Sequence, residues 1–294
     1  MFGMPSLKAS FDPDGEGVLV TGCSSGIGRA VALHLAQTGF TVFATLRKPA
    51  GSDALYRLGE PNLVPVYPLD LAKREHIPAV QEMVAAELTR RGKKGLYALV
   101  NNAGAGSVAP IELMDLDKYQ TELQARLLGP VALLQAFLPL IRARQGRVVW
   151  IMTPSLIPTP FVSSIHACDF AANCLARTLA LELAPWRIPS IMVRCGVIAT
   201  SAPAKNENEL AESLKQWPPE KASLYAGSLR KLQLEFAQLN RSRTPPEAVA
   251  RIVQCALSAR NPRSRYQVGH LSRAAAFLEA LPQPLADKII AMRG

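Results

Sequence analysis

Apolar and polar positions along this chain follow two periods. Apolar runs of strand length at Val18–Thr21, Thr41–Leu46, Leu63–Tyr67, Tyr97–Val100, Arg147–Ile151 and Ser190–Val193 have the branched content of strands buried on both faces. Between most of them lie stretches with helical spacing, Gly26–Thr38, Arg74–Arg90, Asp117–Ala143 and Ile165–Leu183. The alternation predicts an α/β fold, a Rossmann-like, doubly wound parallel sheet with helices on its faces. Ligand is then expected beyond the carboxyl ends of the strands.

After Thr200 the pattern changes. A polar, charged stretch (Lys205–Gln216) runs to a Pro-Pro break and an amphipathic helix over Lys221–Leu239. A helix over Pro246–Ala259 and a short strand near Arg265–Val268 complete the sheet. No internal repeat or low-complexity tract appears. The reading is therefore one domain over 1–294, with a core at 16–200, a substrate lid at 201–240, and C-terminal helices with the last strand at 241–294.

Composition narrows the classes. The chain has 294 residues, 49% of them hydrophobic, enough for one large core. Its five cysteines, Cys23, Cys168, Cys174, Cys195 and Cys255, show no metal-ligand spacing, so no metal is expected and a reduced, cytoplasmic compartment is. No window of eighteen apolar residues exists, and Met1–Gly17 mixes Pro, Asp and Gly rather than an apolar signal core, which reads as a soluble chain without a transmembrane segment. The net charge of +10 raises nucleic acid as a partner, but the basic residues are scattered and few aromatics interleave them. No nucleic-acid partner is expected. The densest run, Arg90-Arg91-Gly92-Lys93-Lys94, suits the end of a helix, where basic residues and a glycine stop are favoured.

The most specific segment is Val18-Leu-Val-Thr-Gly22-Cys-Ser24-Ser25-Gly26-Ile27-Gly28-Arg-Ala, a buried strand running through a glycine-rich turn into a helix. Glycines let backbone approach a pyrophosphate, and a helix N-terminus offers unpaired N–H groups and a positive dipole end. The Thr-Gly-x-x-x-Gly-x-Gly spacing, with Asn101-Asn102-Ala103-Gly104 after the fourth strand, resembles the two motifs of the short-chain dehydrogenase/reductase family. With Phe43-Ala-Thr-Leu-Arg47 following, the chain is most similar to the branch of 17β-hydroxysteroid and retinol dehydrogenases, over residues 16 to 200.

The resemblance implies a nicotinamide cofactor. A carboxylate ending the second strand would bind ribose hydroxyls and mark NAD; here Leu46, Arg47 and Lys48 stand instead, and a guanidinium suits a 2′-phosphate. NADP(H) is favoured over NAD(H), with Ser25 also placed for that phosphate. Asp70 matches the family's adenine-contacting aspartate, or caps the next helix. Thr200, after Cys195-Gly196-Val197, matches the residue that holds the nicotinamide carboxamide, although the usual prolines around that glycine are missing.

Family enzymes use a Tyr acid/base, a Lys four residues on, a carbonyl-orienting Ser and an Asn that holds a relay water. Here the Asn position of Asn-x-x-Gly is Arg126, and the Ser position is Thr153, whose hydroxyl is able to orient a carbonyl. Counting thirteen residues on from Thr153 puts His166 at Tyr and Phe170 at Lys. Matching Asp169-Phe-Ala-Ala-Asn-Cys-Leu to the family helix instead puts Ile165 at Tyr and Asp169 at Lys. The second register is preferred, because the helix must keep its buried face while the preceding loop absorbs a deletion.

Neither register leaves a tyrosine or lysine. An imidazole ordinarily titrates near neutrality, which makes His166 the candidate substitute proton donor; the alternative is a hydrogen-bonded His at a helix start. Arg126 and Asp169 are expected to pair across the former relay. Three functions stay open: an oxidoreductase with altered chemistry on a lipophilic small molecule, such as an iminium or activated C=C; an inactive pseudo-dehydrogenase with a regulatory or scaffold role; and a non-redox lyase or cyclase in the same pocket. The resemblance also implies a homodimer or homotetramer formed through the helices at Asp117–Ala143 and Ile165–Leu183.

Overall fold

The computed structural model describes residues 11–104, 106–154 and 156–292. Residues 1–10, part of the stretch read above for a signal core, lie outside the described residues. So do the last two residues of the C-terminal segment.

Seven strands form one all-parallel sheet: β1 (Gly17–Val20), β2 (Thr41–Thr45), β3 (Leu63–Val66), β4 (Ala98–Asn101), β5 (Arg147–Met152), β6 (Ser190–Cys195) and β7 (Arg265–Val268). Their order is β3-β2-β1-β4-β5-β6-β7. Val18 pairs with Val42 on one side and Ala98 on the other, and the chain reverses its direction of winding between β1 and β4. That reversal opens a crevice at the carboxyl ends of β1 and β4, where ligands bind in sheets of this topology.

The helices are α1 (Gly26–Gln37), α2 (Pro49–Tyr56), α3 (Ile77–Arg90), α4 (Leu116–Leu123), α5 (Gly129–Arg144), α6 (Ser163–Glu182), α7 (Ala202–Gln216), α8 (Pro219–Leu239), α9 (Pro246–Ser258), α10 (Ser272–Glu279) and α11 (Gln283–Ala291). Alternate residues of β1 to β6 feed two cores. Val18, Val20 and Val42 pack with Val31 and Leu35 of α1 and with Val249 and Val253 of α9. On the other face Leu19, Leu99 and Trp150 pack with Val84 of α3, Phe137 of α5 and Ala176 of α6. Burial on both faces explains why the strands read as continuous apolar runs.

Three details differ from the sequence expectation. The helix expected over Asp117–Ala143 is interrupted: α4 and α5 are joined by a π-helical turn, Gln124–Leu128, which carries Arg126. Such turns break the regular side-chain register and often sit at functional sites. The polar stretch at 205–216 is itself helical, as α7, and α2 occupies a Pro- and Gly-containing segment that carried no strong helical period. By length and composition alone, Leu116–Arg144 is long and apolar enough to cross a membrane, an 18-residue stretch within it having a mean hydropathy of 1.4. Pro130, Gln135 and Pro139 hide this in the sequence; in the fold Leu133, Phe137 and Ile141 of the run are fully buried against the sheet.

Helices α7 and α8 carry a small core of their own. Leu210, Leu229 and Leu232 pack with Val108 and Phe161 from the loops that follow β4 and β5. Glu112 secures the contact, accepting from the Tyr225 hydroxyl at 2.9 Å and facing Lys221 Nζ at 3.2 Å.

Candidate active site

The glycine-rich loop between β1 and α1 is shaped by contacts that exclude side chains. Gly22 has φ of +73°, and a Cβ there would lie 3.0 Å from the Ala103 Cα. A Cβ at Gly28 would lie 2.3 Å from the Gly22 carbonyl oxygen and 2.4 Å from Asn102 Nδ2. The loop is tied to the end of β4 through Thr21: its Oγ1 accepts the N–H groups of Asn102 and Ala103, both at 2.9 Å, and its carbonyl accepts from Asn102 Nδ2 at 2.8 Å. The two sequence motifs are thus one structural unit.

Ser24 and Ser25 are exposed at the mouth of this loop. Ser25 is the N-cap of α1, yet its side chain makes no capping hydrogen bond, so it does not cover the first-turn N–H groups of the helix. Ile27 and Gly28 open that helix. Thr200 leans on the loop from the far side, its Cγ2 lying 3.2 Å from where a Cβ on Gly26 would stand. Arg47 and Lys48, just beyond β2, are exposed. This is a narrow, glycine-walled cradle with N–H donors at its floor and cations at its edge, and it fits a nucleotide pyrophosphate. Asp70 does not cap the next helix: its Oδ1 accepts from the Ala72 N–H at 3.1 Å and its own N–H donates to His76 Nδ1 at 3.0 Å, while the helical turn that follows starts at Arg74 with Lys73 as its N-cap.

Beside the cradle, β5, α6 and the π turn bring Thr153, Asp169 and Arg126 together. Arg126 Nη2 donates to Asp169 Oδ1 at 2.6 Å, and the Thr153 N–H donates to Asp169 Oδ2 at 2.7 Å. Asp169 is 6% exposed, so both oxygens of a buried carboxylate are engaged. The Arg126 guanidinium also lies over Gly104, where a Cβ would stand 2.6 Å from Nη1. Cys168, facing Arg126, has its thiol pushed up to about 11 by burial and stays protonated.

One turn before Asp169, Ile165 seats against the loop after β4. A Cβ on Gly106 would lie 2.1 Å from Ile165 Cγ1, so the glycine is what admits the side chain. His166, the next residue, is bonded elsewhere. Its Nδ1 lies 2.7 Å from the Ile157 carbonyl oxygen, and its ring tilts against Phe170 at 6.0 Å. A carbonyl only accepts, so Nδ1 carries the proton. Burial lowers the His166 pKa and holds the ring neutral.

Sequence reasoning passed over a second buried polar group next to the first. Arg194, on β6 and 1% exposed, donates from Nη2 to Asn173 Oδ1 at 2.6 Å, and its Nη1 lies 3.2 Å from Glu279 Oε2. Burial pushes its guanidinium below the ordinary range, opposed by Glu279. Asn173 is one turn beyond Asp169 on α6. The available signal was a charged residue inside the apolar run of β6.

Comparison with known proteins agrees with this geometry. The family model described as short chain dehydrogenase matches residues 16–211. Mouse (Mus musculus) retinol dehydrogenase 5 is 31% identical over 262 residues, which cover 86% of this chain and 80% of that protein. The crystal structure of a short-chain dehydrogenase from Streptomyces avermitilis superposes with a TM-score of 0.73 at 25% identity, covering 95% of this chain and 97% of that one. An alcohol dehydrogenase from the archaeon Thermococcus sibiricus, complexed with 5-hydroxy-NADP, shares the fold with a TM-score of 0.67 at 20% identity, over 91% of this chain and 99% of that one.

Proposed function

Because the chain belongs to the short-chain dehydrogenase family of oxidoreductases, we propose that it binds NADP(H) in the glycine cradle and works with a centre that offers no proton of its own. Gly22, Ser24, Ser25, Gly26, Ile27 and Gly28 would hold the pyrophosphate, Arg47 and Ser25 a 2′-phosphate, and Asn102, Ala103, Gly104 and Thr200 the nicotinamide end. NADP(H), when bound, exchanges hydride at its nicotinamide.

The observation that carries the chemical part is the engagement of Asp169. With Arg126 Nη2 on one oxygen and the Thr153 N–H on the other, both oxygens of this carboxylate already accept hydrogen bonds from the protein. Ile165 has no proton to give, and His166 spends its Nδ1–H on Ile157. A positioned acid/base contributes about 10²–10⁴ in rate, so turnover of simple ketones and alcohols is expected to be poor. An iminium ion, neutralised by hydride alone, or an activated C=C that takes its proton from solvent, fits the centre. The kinship with retinol dehydrogenase supports a lipophilic substrate, and the lid formed by α7 and α8 would cover it.

A second reading, a pseudo-dehydrogenase that binds nucleotide and serves a partner, draws on Ile165, whose seat on Gly106 fills space beside Asp169. Titration with NADPH and NADH, followed by nicotinamide fluorescence, tests the shared premise. Preferential NADPH binding that Arg47→Ala weakens about tenfold or more is the expected outcome for loss of a charge-assisted contact. Consumption of bound NADPH by cyclic iminium or enone compounds, but not ketones, would select the enzyme. Binding without consumption by any of them would select the second reading, and binding of neither nucleotide would sink both.

A further inference from the structure

The segment that follows β5 carries Thr153, and it is held from two sides. On the inner side the Thr153 N–H donates to Asp169. On the outer side it is met by residues from the last thirty of the chain, beyond the stretch matched by the family model. Gln267 Nε2 of β7 reaches the Pro154 carbonyl at 3.4 Å, and Glu279, the last residue of α10, accepts the Leu156 N–H on Oε2 at 3.2 Å.

Glu279 is more than a tether for one amide. The same Oε2 faces the Arg194 guanidinium at 3.2 Å, while Oε1 takes Arg265 Nη1 at 3.2 Å. Arg194 in turn donates to Asn173, on the turn of α6 that follows Asp169. Glu279 therefore supplies the counter-charge that lets a fully buried arginine sit between the sheet and α6, and it binds the backbone after β5 with the same oxygen. Both connections lead to the Thr153–Asp169 contact, one through the backbone and one through α6.

We propose that Glu279 is a positioning residue for the candidate centre: from the C-terminal helix it fixes the backbone after β5 and, through it, the contact between the Thr153 N–H and Asp169. The consequence for a ligand rests on the reading of that centre given above, but the placement of the backbone does not. Without Glu279 the site keeps its cradle and its side chains and loses the alignment of Thr153.

Amide hydrogen exchange on the full, nucleotide-free chain tests this independently of any nucleotide titration. In Glu279→Gln the amides of Leu156 and Thr153 are expected to exchange about tenfold faster, the effect of weakening one charge-assisted hydrogen bond, while Val149 and Ile191 inside the sheet stay protected. A second variant, Arg194→Met with Asn173→Leu and Glu279→Leu, removes the buried charges together with the amide that Arg194 bonds, and such neutral replacements commonly restore stability. In that variant the urea midpoint should recover while Thr153 and Leu156 stay fast, which a merely stabilising role would not give. Should Thr153 regain slow exchange together with the midpoint, or should only Leu156 respond in either variant, Glu279 anchors its own helix and positions nothing.

Discussion

Arg126 Nη2 stands 2.6 Å from Asp169 Oδ1, joining a π-helical turn to α6 through side chains that are 15% and 8% exposed. Removing one member of a buried pair leaves an uncompensated charge, at a typical cost of about 3–5 kcal/mol, whereas replacing both with apolar residues is often neutral. Arg126→Ala and Asp169→Ala should each lower stability on that scale in urea denaturation. The double variant should fall well short of their sum. A sum that holds within about 0.5 kcal/mol would mean that the two side chains act independently.

Two glycine substitutions should have opposite signs. Gly28→Ala places a Cβ 2.3 Å from a backbone oxygen that has no room to retreat, so it should destabilise the chain and abolish NADPH-induced fluorescence changes. Gly227→Ala, within α8 and with nothing inside 4 Å of the added atom, should raise stability by about 1 kcal/mol in thermal or urea unfolding. Equal effects from the two would contradict the cradle as built.

This contrast shows what was legible in the sequence. Gly22, Gly26 and Gly28 stand at a spacing that only a strand, turn and helix explain, and the strands declare themselves because both of their faces are buried. The π turn at Arg126 was not legible, because a wider turn within a helical pattern leaves the identity of the residues unchanged. Nor were the partners of Arg194: Asn173 and Glu279 lie 21 and 85 residues away from it, and neither has a local pattern that points there. Asp169 was singled out by its helix neighbours, but its bond to the Thr153 N–H depends on how the segment after β5 is held. Tertiary placement, not propensity, decides such contacts.

Acid should destabilise the fold through His166. Burial lowers its folded pKa below the ordinary value of 6.5, so above that value both folded and unfolded forms are neutral and the group contributes nothing. As pH falls below 6.5 the unfolded chain takes up a proton that the folded chain refuses, and stability declines with a slope approaching about 1.4 kcal/mol per pH unit. His166→Gln should flatten the urea-stability profile between pH 6.5 and the lower folded value. An unchanged slope in that variant would show that other groups carry the acid sensitivity.

The proposed loss of proton chemistry can be tested by reversing it. Arg126→Asn, Ile165→Tyr and Asp169→Lys together would restore a proton donor, a cation one helical turn from it and a neutral amide, the arrangement the family uses. A cation beside a tyrosine lowers its pKa toward the working range, and the acid/base contribution returned should be about 10²-fold or more in ketone reduction with NADPH. Ile165→Tyr alone should not suffice, because Arg126 and Asp169 would still neutralise one another at 2.6 Å. The alternative register supplies the control: His166→Tyr with Phe170→Lys starts from a ring bonded to the Ile157 carbonyl rather than to Asp169 or Thr153. If the control gained turnover and the triple variant, folded and binding NADPH, did not, then Ile165 and Asp169 would not be the positions at which the proton chemistry was lost.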